Sequence, residues 1–378
     1  MFVCLDVDDR VEPPDGVRIQ VVVLPQTYPG EDMGQIATVF PSNAEITGRP
    51  GIDADAPRPD NLLRAGNSVL FSPGRKLLAV SGNWSKPEPV VECEAEILAT
   101  ASGPDDSIAI FDEVRGLSLL DISKRSMVRR NIARLPFASV TAATFRDADT
   151  LLVCVGSTRN SVAEWQRDLL ESETAGSVWS VDLRNSEAKP VAQGLSYPAG
   201  CIVLADGKNA LVSESWKNRL VLIDLDRKKA PAPVLTALPG YPGRLSPRAQ
   251  GGSWLSLFAP RNQLVEFVRR ERTYRRAMMA EVPKEFWVAP ALSSGASFSE
   301  PMQGGALIQM GILKPWAPTR SYGLVVALDD HHSPVASFHS RTGGTRHGLT
   351  STVEYGSGLV VASKGGDEII SIALSDGG

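Results

Sequence analysis

The chain has 378 residues, 43% of them hydrophobic and 22% charged, with 33 Gly, 27 Pro and a formal net charge of -4. That balance supports a sizeable buried core and argues against the basic excess of a nucleic-acid binder. No apolar run is long enough to cross a bilayer, and the opening MFVCLDVDDR carries acids where an export signal needs positive charge.

The expectation is a cytoplasmic protein with no nucleic acid and no membrane as partner. The four cysteines, Cys4, Cys93, Cys154 and Cys201, are far apart and form no CxxC pair, so the usual zinc spacing is absent. Cys154 in LLVCVG and Cys201 in CIVL read as small buried hydrophobes.

In chain order, RIQVVVLP near the start reads as a strand that could close a ring of strands. The Pro-, Gly- and Asp-rich stretch that follows reads as a surface arm, and residues 1–64 together form an N-terminal unit. From residue 65 one theme repeats: an apolar run, a Gly-rich turn, a second apolar run and a polar turn. SVLFSPGRKLLAVSG, SIAIFDEVRGLSLLDI and CIVLADGKNALVSES are examples. Short β-branched runs bounded by Asp, Gly, Asn and Pro are hairpin strands. The Asp206-Gly207 and Gly251-Gly252 turns fall about 45 residues apart, near the size of a four-stranded propeller blade. About six such units predict an all-β propeller over 65–378, because radial closure removes the open edges of so many strands.

Two segments interrupt the strands. SVAEWQRDLLES places Val162, Trp165 and Leu169 at helical spacing, with Ser161 as N-cap and Glu164 three residues on. Residues 262–317 begin with QLVEFVRRERTYRRAMM, an amphipathic helix by its pattern. They continue through Phe286, Trp287, Phe298, Met302, Met310 and Trp316, too apolar for a solvated linker, and read as a lid over a channel mouth.

Four stretches resemble the strictosidine-synthase-like relatives of gluconolactonase and regucalcin. They are GSTRNSVAEWQRDLLES, GLSYPAGCIVLADGKNALVSESWKNRLVLIDLD, LPGYPGRLSPRAQGGSWLSLFAPRNQLVEF, and YGLVVALDDHHSPVASFHSRTGG with LTSTVEYGSGLVVAS. The resemblance covers roughly residues 145–374 and implies a six-bladed β-propeller with helical and loop insertions over the channel mouth.

Lactonases of that superfamily hold a divalent cation, often calcium, on a Glu of the first blade, an Asn of a Pro-Asn-Gly turn and an Asp of a Pro-Asp turn. Here those frames read Pro198-Ala199-Gly200 and Pro242-Gly243-Arg244, and the first-blade position aligns with Asn67. An Asn-Asp pair of the family is replaced by Thr141-Ala142-Ala143. Ala and Gly side chains coordinate nothing, so the resemblance implies no metal cofactor: the calcium-type site is lost at Ala199 and Gly243. Strictosidine synthase works instead through a last-blade glutamate, whose position here is Thr350, with His347 three residues earlier as a candidate acid or base.

The candidate set is therefore His347 and Thr350 for catalysis. For substrate binding it is Asn67, Asp112, Trp165, Ala199, Gly243, Arg244, Trp287 and Trp316. Glu214 with Arg219 reads as a structural ion pair, Glu354 and Asp367 as solvent-facing, His331-His332 as a hairpin tip, and His339 as a satisfied structural residue. Arg269, Arg270, Arg272, Arg275 and Arg276 read as a solvated helix face. Three functions stay open: a metal-independent enzyme for a small organic molecule (condensation, cyclisation, or ester or lactone hydrolysis), a non-catalytic binding or scaffold propeller, and a metalloenzyme with relocated ligands such as Asn67, Asp112 and His347. The pattern does not fix an oligomeric state.

Overall fold

A computed structural model describes residues 57–81, 87–104, 106–129, 139–172, 174–294, 320–340 and 345–374, and the backbone strands Asn43–Glu45, Arg49–Pro50, Ile308–Gln309 and Ile312–Leu313. Six sheets follow one another around a central axis. Blade 1 begins with the innermost strand Pro59–Ala65, blade 2 with Ile97–Ser102, and blade 3 with Val140–Asp147. Blade 4 begins with Pro198–Val203, blade 5 with Gly240–Pro247, and blade 6 with Leu349–Tyr355. The protein is a six-bladed β-propeller.

Each blade lies between two others, so its second strand is buried on both faces and reads as a continuous apolar run rather than an alternating one. Val69–Phe71, Leu151–Val155 and Leu359–Ala362 show this. The core is accordingly six interblade layers. One joins Leu70, Leu77 and Val90 of blade 1 to Ile108, Ile110 and Leu120 of blade 2, and the last joins Val360 and Ile369 of blade 6 to Val69 and Phe71 of blade 1. Cys154 and Cys201 share the layer between blades 3 and 4 as buried free thiols, with burial and mutual contact pushing the Cys154 thiol up.

Two N-terminal strands complete the ring's outer edge. Asn43–Glu45 pairs in parallel with Pro334–His339 of blade 5, and Arg49–Pro50 pairs antiparallel with Glu368–Ala373 of blade 6. The ring is thus fastened by strands just upstream of Pro59, where the first blade begins. RIQVVVLP and most of the expected arm lie outside the described residues.

Over one end sits a helical cap. Residues Val162–Glu164 form a 3-10 turn that leads into α1 (Trp165–Glu171); Ser161 caps it through its backbone carbonyl, with no side-chain bond. The long helix expected after Asn262 is two, α2 (Gln263–Arg270) and α3 (Arg272–Glu281), broken at Glu271. Asn262 caps α2 by accepting from the Leu264 amide at 2.8 Å. Trp287, Leu170, Val268, Met278 and Ala289 form the cap's own small core. Among the described residues no helix is long and apolar enough to cross a membrane.

Candidate functional site

The pairing of the innermost strand with its neighbour slips near its start in every blade, after Asp60, Ile97, Val140, Pro198, Pro242 and Leu349. Such bulges re-aim side chains at sheet ends. Here they turn Asp60, Leu98, Thr141, Ala199, Gly243 with Arg244, and Thr350 toward one cavity of about 490 Å³ at the capped end of the axis. Gly200 is required beside this ring, since a Cβ there would meet the Gly243 carbonyl oxygen at 2.3 Å.

The cavity has two unlike walls. On one side stand Val162, Trp165, Tyr197, Phe258 and Leu292. Trp165 and Phe258 meet edge to face at 5.5 Å, and Tyr197 stacks on Trp216 behind it at 4.3 Å. Burial, first of all, pushes the Tyr197 hydroxyl well above its ordinary range, so it remains a neutral phenol.

The other wall is charged. Asp60 is 6% exposed and its two oxygens are held separately. Arg244 donates from Nη1 to Oδ1, and Lys364 donates to Oδ2 at 3.0 Å. Burial alone would raise this carboxyl, but the Arg244 and Lys364 charges outweigh it and hold Asp60 well below the usual carboxylate range. Arg244 also donates from Nη2 to the Leu98 carbonyl at 2.9 Å. It therefore spans the axis from blade 5 to blades 1 and 2. A second cavity of about 370 Å³, lined by Thr144, Ser246, Thr352 and Glu354, opens at the far end, and Arg244 lines both. Arg244 therefore stands between the two vestibules.

These residues do not fit a hard divalent cation. Ala199 and Gly243 offer no side-chain oxygen, and the Thr141 hydroxyl is committed to the Pro198 and Cys154 carbonyls at 2.5 and 3.2 Å. Asp60 already faces two fixed positive charges, and no cluster of three acidic, His or Cys ligands exists among the described residues.

The structure brings Trp165, Ala199, Gly243, Arg244 and Thr350 together at one mouth. Asn67 is elsewhere: it sits in the exposed turn at the opposite end of its strand, where Tyr355 donates to its carbonyl at 2.7 Å. The blade 1 residue at the mouth is Asp60. Asp112 ends the strand Ser107–Asp112, its buried carboxylate accepting the Val114 and Arg115 amides of the following turn, and its neighbour Glu113 lines the cavity instead. His347 is 2% exposed within its loop, its Nδ1 2.7 Å from the Ser321 hydroxyl, and does not line the mouth beside Thr350. Trp287 is consumed by the cap's core, donating to the Val282 carbonyl at 2.7 Å. Trp316, Phe298, Met302 and Met310 lie outside the described residues.

The other residues have structural roles. Glu214 is fully buried and holds the Ser196 amide, Arg219 and Lys217. Glu354 is not free in solvent, since it accepts from Trp254 Nε1 and the Ala249 amide. Exposed Asp367 accepts from the Arg58 amide, and Asp329 shapes the His331-His332 turn. In the arginine cluster, Arg269 pairs with Glu266 and Arg275 donates to the Arg269 carbonyl.

His339 lies between the Tyr322 and Ser337 hydroxyls at 3.2 and 3.0 Å. Burial lowers it from 6.5 to about 4, so it is neutral in the fold. The unfolded chain binds the extra proton between these values, and stability therefore falls as pH drops from 6.5 toward 4. A loss on the order of 2 kcal/mol is expected over that window, reduced for partial exposure. Urea titrations at stepped pH should show it in the parent and a flatter profile in His339→Gln.

No protein-family model and no curated protein sequence matches the chain. Solved structures do. A calcium-binding protein, regucalcin, from Agrobacterium tumefaciens matches with a TM-score of 0.54 at 12% identity over 88% of this chain and 95% of its own. A putative gluconolactonase matches at 0.53 and 12% identity over 89% and 94%. A luciferin-regenerating enzyme matches at 0.51 and 10% identity over 87% and 94%. The fold is that of these propellers.

Proposed function

We propose that this propeller is a metal-independent hydrolase of a small organic ester or lactone, working at the capped mouth. The observation that carries it is the paired wall: the buried Asp60 carboxylate between partly buried Arg244 and Lys364, facing Trp165, Tyr197 and Phe258 across a cavity of about 490 Å³. A concave, largely apolar site with a few convergent polar groups is what a small molecule needs. The likeness to a putative gluconolactonase supports lactone chemistry on this scaffold.

In this reading the flat or alicyclic body rests on the aromatic wall and the carbonyl oxygen points at Lys364 and Arg244. Water adds to the carbonyl carbon, its proton passing to Glu96, the rim carboxylate 3.6 Å from Lys364 Nζ. The acyl C–O bond then breaks, the leaving alcohol takes that proton back from Glu96, and the acid product ionises. Fixed cations aimed at the developing oxyanion are worth about 10²–10³ in rate. Metal-stripped protein kept in chelator should hydrolyse members of an aryl-ester and lactone panel. Arg244→Met and Lys364→Met should each lower kcat/KM by about 10²-fold with circular dichroism unchanged. Activity that appears only with an added divalent cation, or survives both substitutions, overturns the reading.

A non-catalytic ligand-binding propeller is the second reading. It is favoured by Asp60, which is held so firmly as an anion that it cannot serve as a base near neutral pH. Binding without turnover across the panel selects it.

A further inference from the structure

The buried centre of the mouth is not neutral. Asp60 carries one negative charge, whereas Arg244 and Lys364, whose side chains are 20% and 15% exposed, carry two positive ones. A surplus buried charge needs a counterion. The nearest is Glu96, whose side chain is 52% exposed and whose Oε1 stands 3.6 Å from Lys364 Nζ, beyond hydrogen-bond distance. An exposed, loosely held carboxylate is an exchangeable partner, since pairs of this kind contribute little. The tightly held partner, Asp60, is buried and engages each cation directly.

We infer that the mouth takes an organic monocarboxylate: its carboxylate replaces Glu96 as the counterion of Lys364, beside Arg244, and its flat apolar body lies on Trp165, Tyr197 and Phe258. This rests on the mouth being the small-molecule site and narrows the class of molecule it holds. The geometry distinguishes such a ligand from a neutral one of the same shape. The cations hold a charged group inside a partly desolvated cavity, where charge-assisted hydrogen bonds are roughly twice as strong as neutral ones. Arg244 donates to Asp60 through Nη1 and to the Leu98 carbonyl through Nη2, which fixes the guanidinium plane before the ligand arrives. The class also fits hydrolysis, because an ester or lactone becomes a carboxylate against the same cations. The acid is then a product that lingers.

The probes are phenylacetate and phenylacetamide, which share a ring and a shape and differ in charge. Titrations follow the intrinsic tryptophan emission of the full chain, with calorimetry as the second readout. The acid should bind at least tenfold tighter than the amide, and the gap should shrink with added salt. Glu96→Gln should tighten the acid threefold or more and leave the amide unchanged, because it removes the competing carboxylate. The same substitution should slow ester hydrolysis, so binding and turnover move in opposite directions. Lys364→Met should bring acid and amide to equal affinity; it leaves Arg244 matched one-to-one with Asp60, and a melting curve confirms that it folds. Equal affinity of acid and amide in the parent overturns the inference and leaves the mouth a small-molecule site. Weaker acid binding in Glu96→Gln also overturns it. If neither probe binds and no ester is hydrolysed, the inference falls together with the reading it rests on.

Discussion

Asp60→Ala should be the most damaging single change at the mouth, at about 3–5 kcal/mol. The residue itself is small, and the loss comes from what it leaves behind. Arg244 and Lys364 converge on its two oxygens from blades 5 and 6, and without the carboxylate two partly buried cations face each other with only rim acids to screen them. Calorimetry should show a melting temperature lower by roughly 4–6 °C. The stabilisation also has a pH window. The folded-state carboxyl lies below its unfolded value of 3.8, so the contribution is complete above that pH and drains away only in stronger acid. Asp60→Ala should therefore differ most from the parent near neutral pH and least near pH 2. Adding Lys364→Met to Asp60→Ala should recover about half of the loss, because a buried pair replaced on both sides is far less costly than a pair broken on one. A melting temperature within a degree of the parent would mean that the cluster is solvated and the ring is held by interblade packing alone.

The sequence carried the propeller because blade strands have a local signature. Apolar runs such as LLVCV, between Asp149 and Gly156, and LVVAL, between Gly323 and Asp329, are what two-sided burial between blades demands. Half of the mouth was equally legible. Pro198-Ala199-Gly200 and Pro242-Gly243-Arg244 keep the frames of two bulges, and the bulge aims whatever residue stands there at the axis. Asp60 escaped because its strand begins inside the Pro-rich stretch, where no blade pattern marks the register. Alignment then settled on Asn67, at the other end of the same strand. Lys364 escaped for a different reason. It follows strand Gly358–Ser363 in a turn, and nothing local says that a turn lysine reaches the axis to meet a residue more than 300 positions away. The signal that could have found both is a charge count around the ring: Arg244 beside an axis stripped of ligands requires an anion. The helix break at Glu271 and the burial of Trp287 are tertiary outcomes of the cap's own core.

Trp216→Ala should cost on the order of 5 kcal/mol, from two separable sources. Cutting a buried indole back to a methyl removes about 3–5 kcal/mol of packing. Trp216 is 3% exposed and touches Tyr197, Tyr241, Phe258 and Trp165, with ring centroids between 4.3 and 6.3 Å. Its Nε1 also donates at 2.7 Å to Asp168, a carboxylate only 3% exposed whose second oxygen accepts from Asn160. Losing that donor adds about 1–3 kcal/mol for an under-satisfied buried group. Trp216→Phe separates the two sources. It keeps most of the stack and loses the hydrogen bond, so urea unfolding should place it about 1–3 kcal/mol below the parent and well above Trp216→Ala. The two variants should also part at the mouth. Trp216 does not line the cavity, but it backs Tyr197, which does. With alanine the phenol loses its support and probe binding should weaken along with stability; with phenylalanine the wall stays in place and binding should hold. If both variants bind alike, Tyr197 is positioned by its own backbone, just before strand Pro198–Val203, and the aromatic layer behind it serves only to fasten the cap to blades 4 and 5.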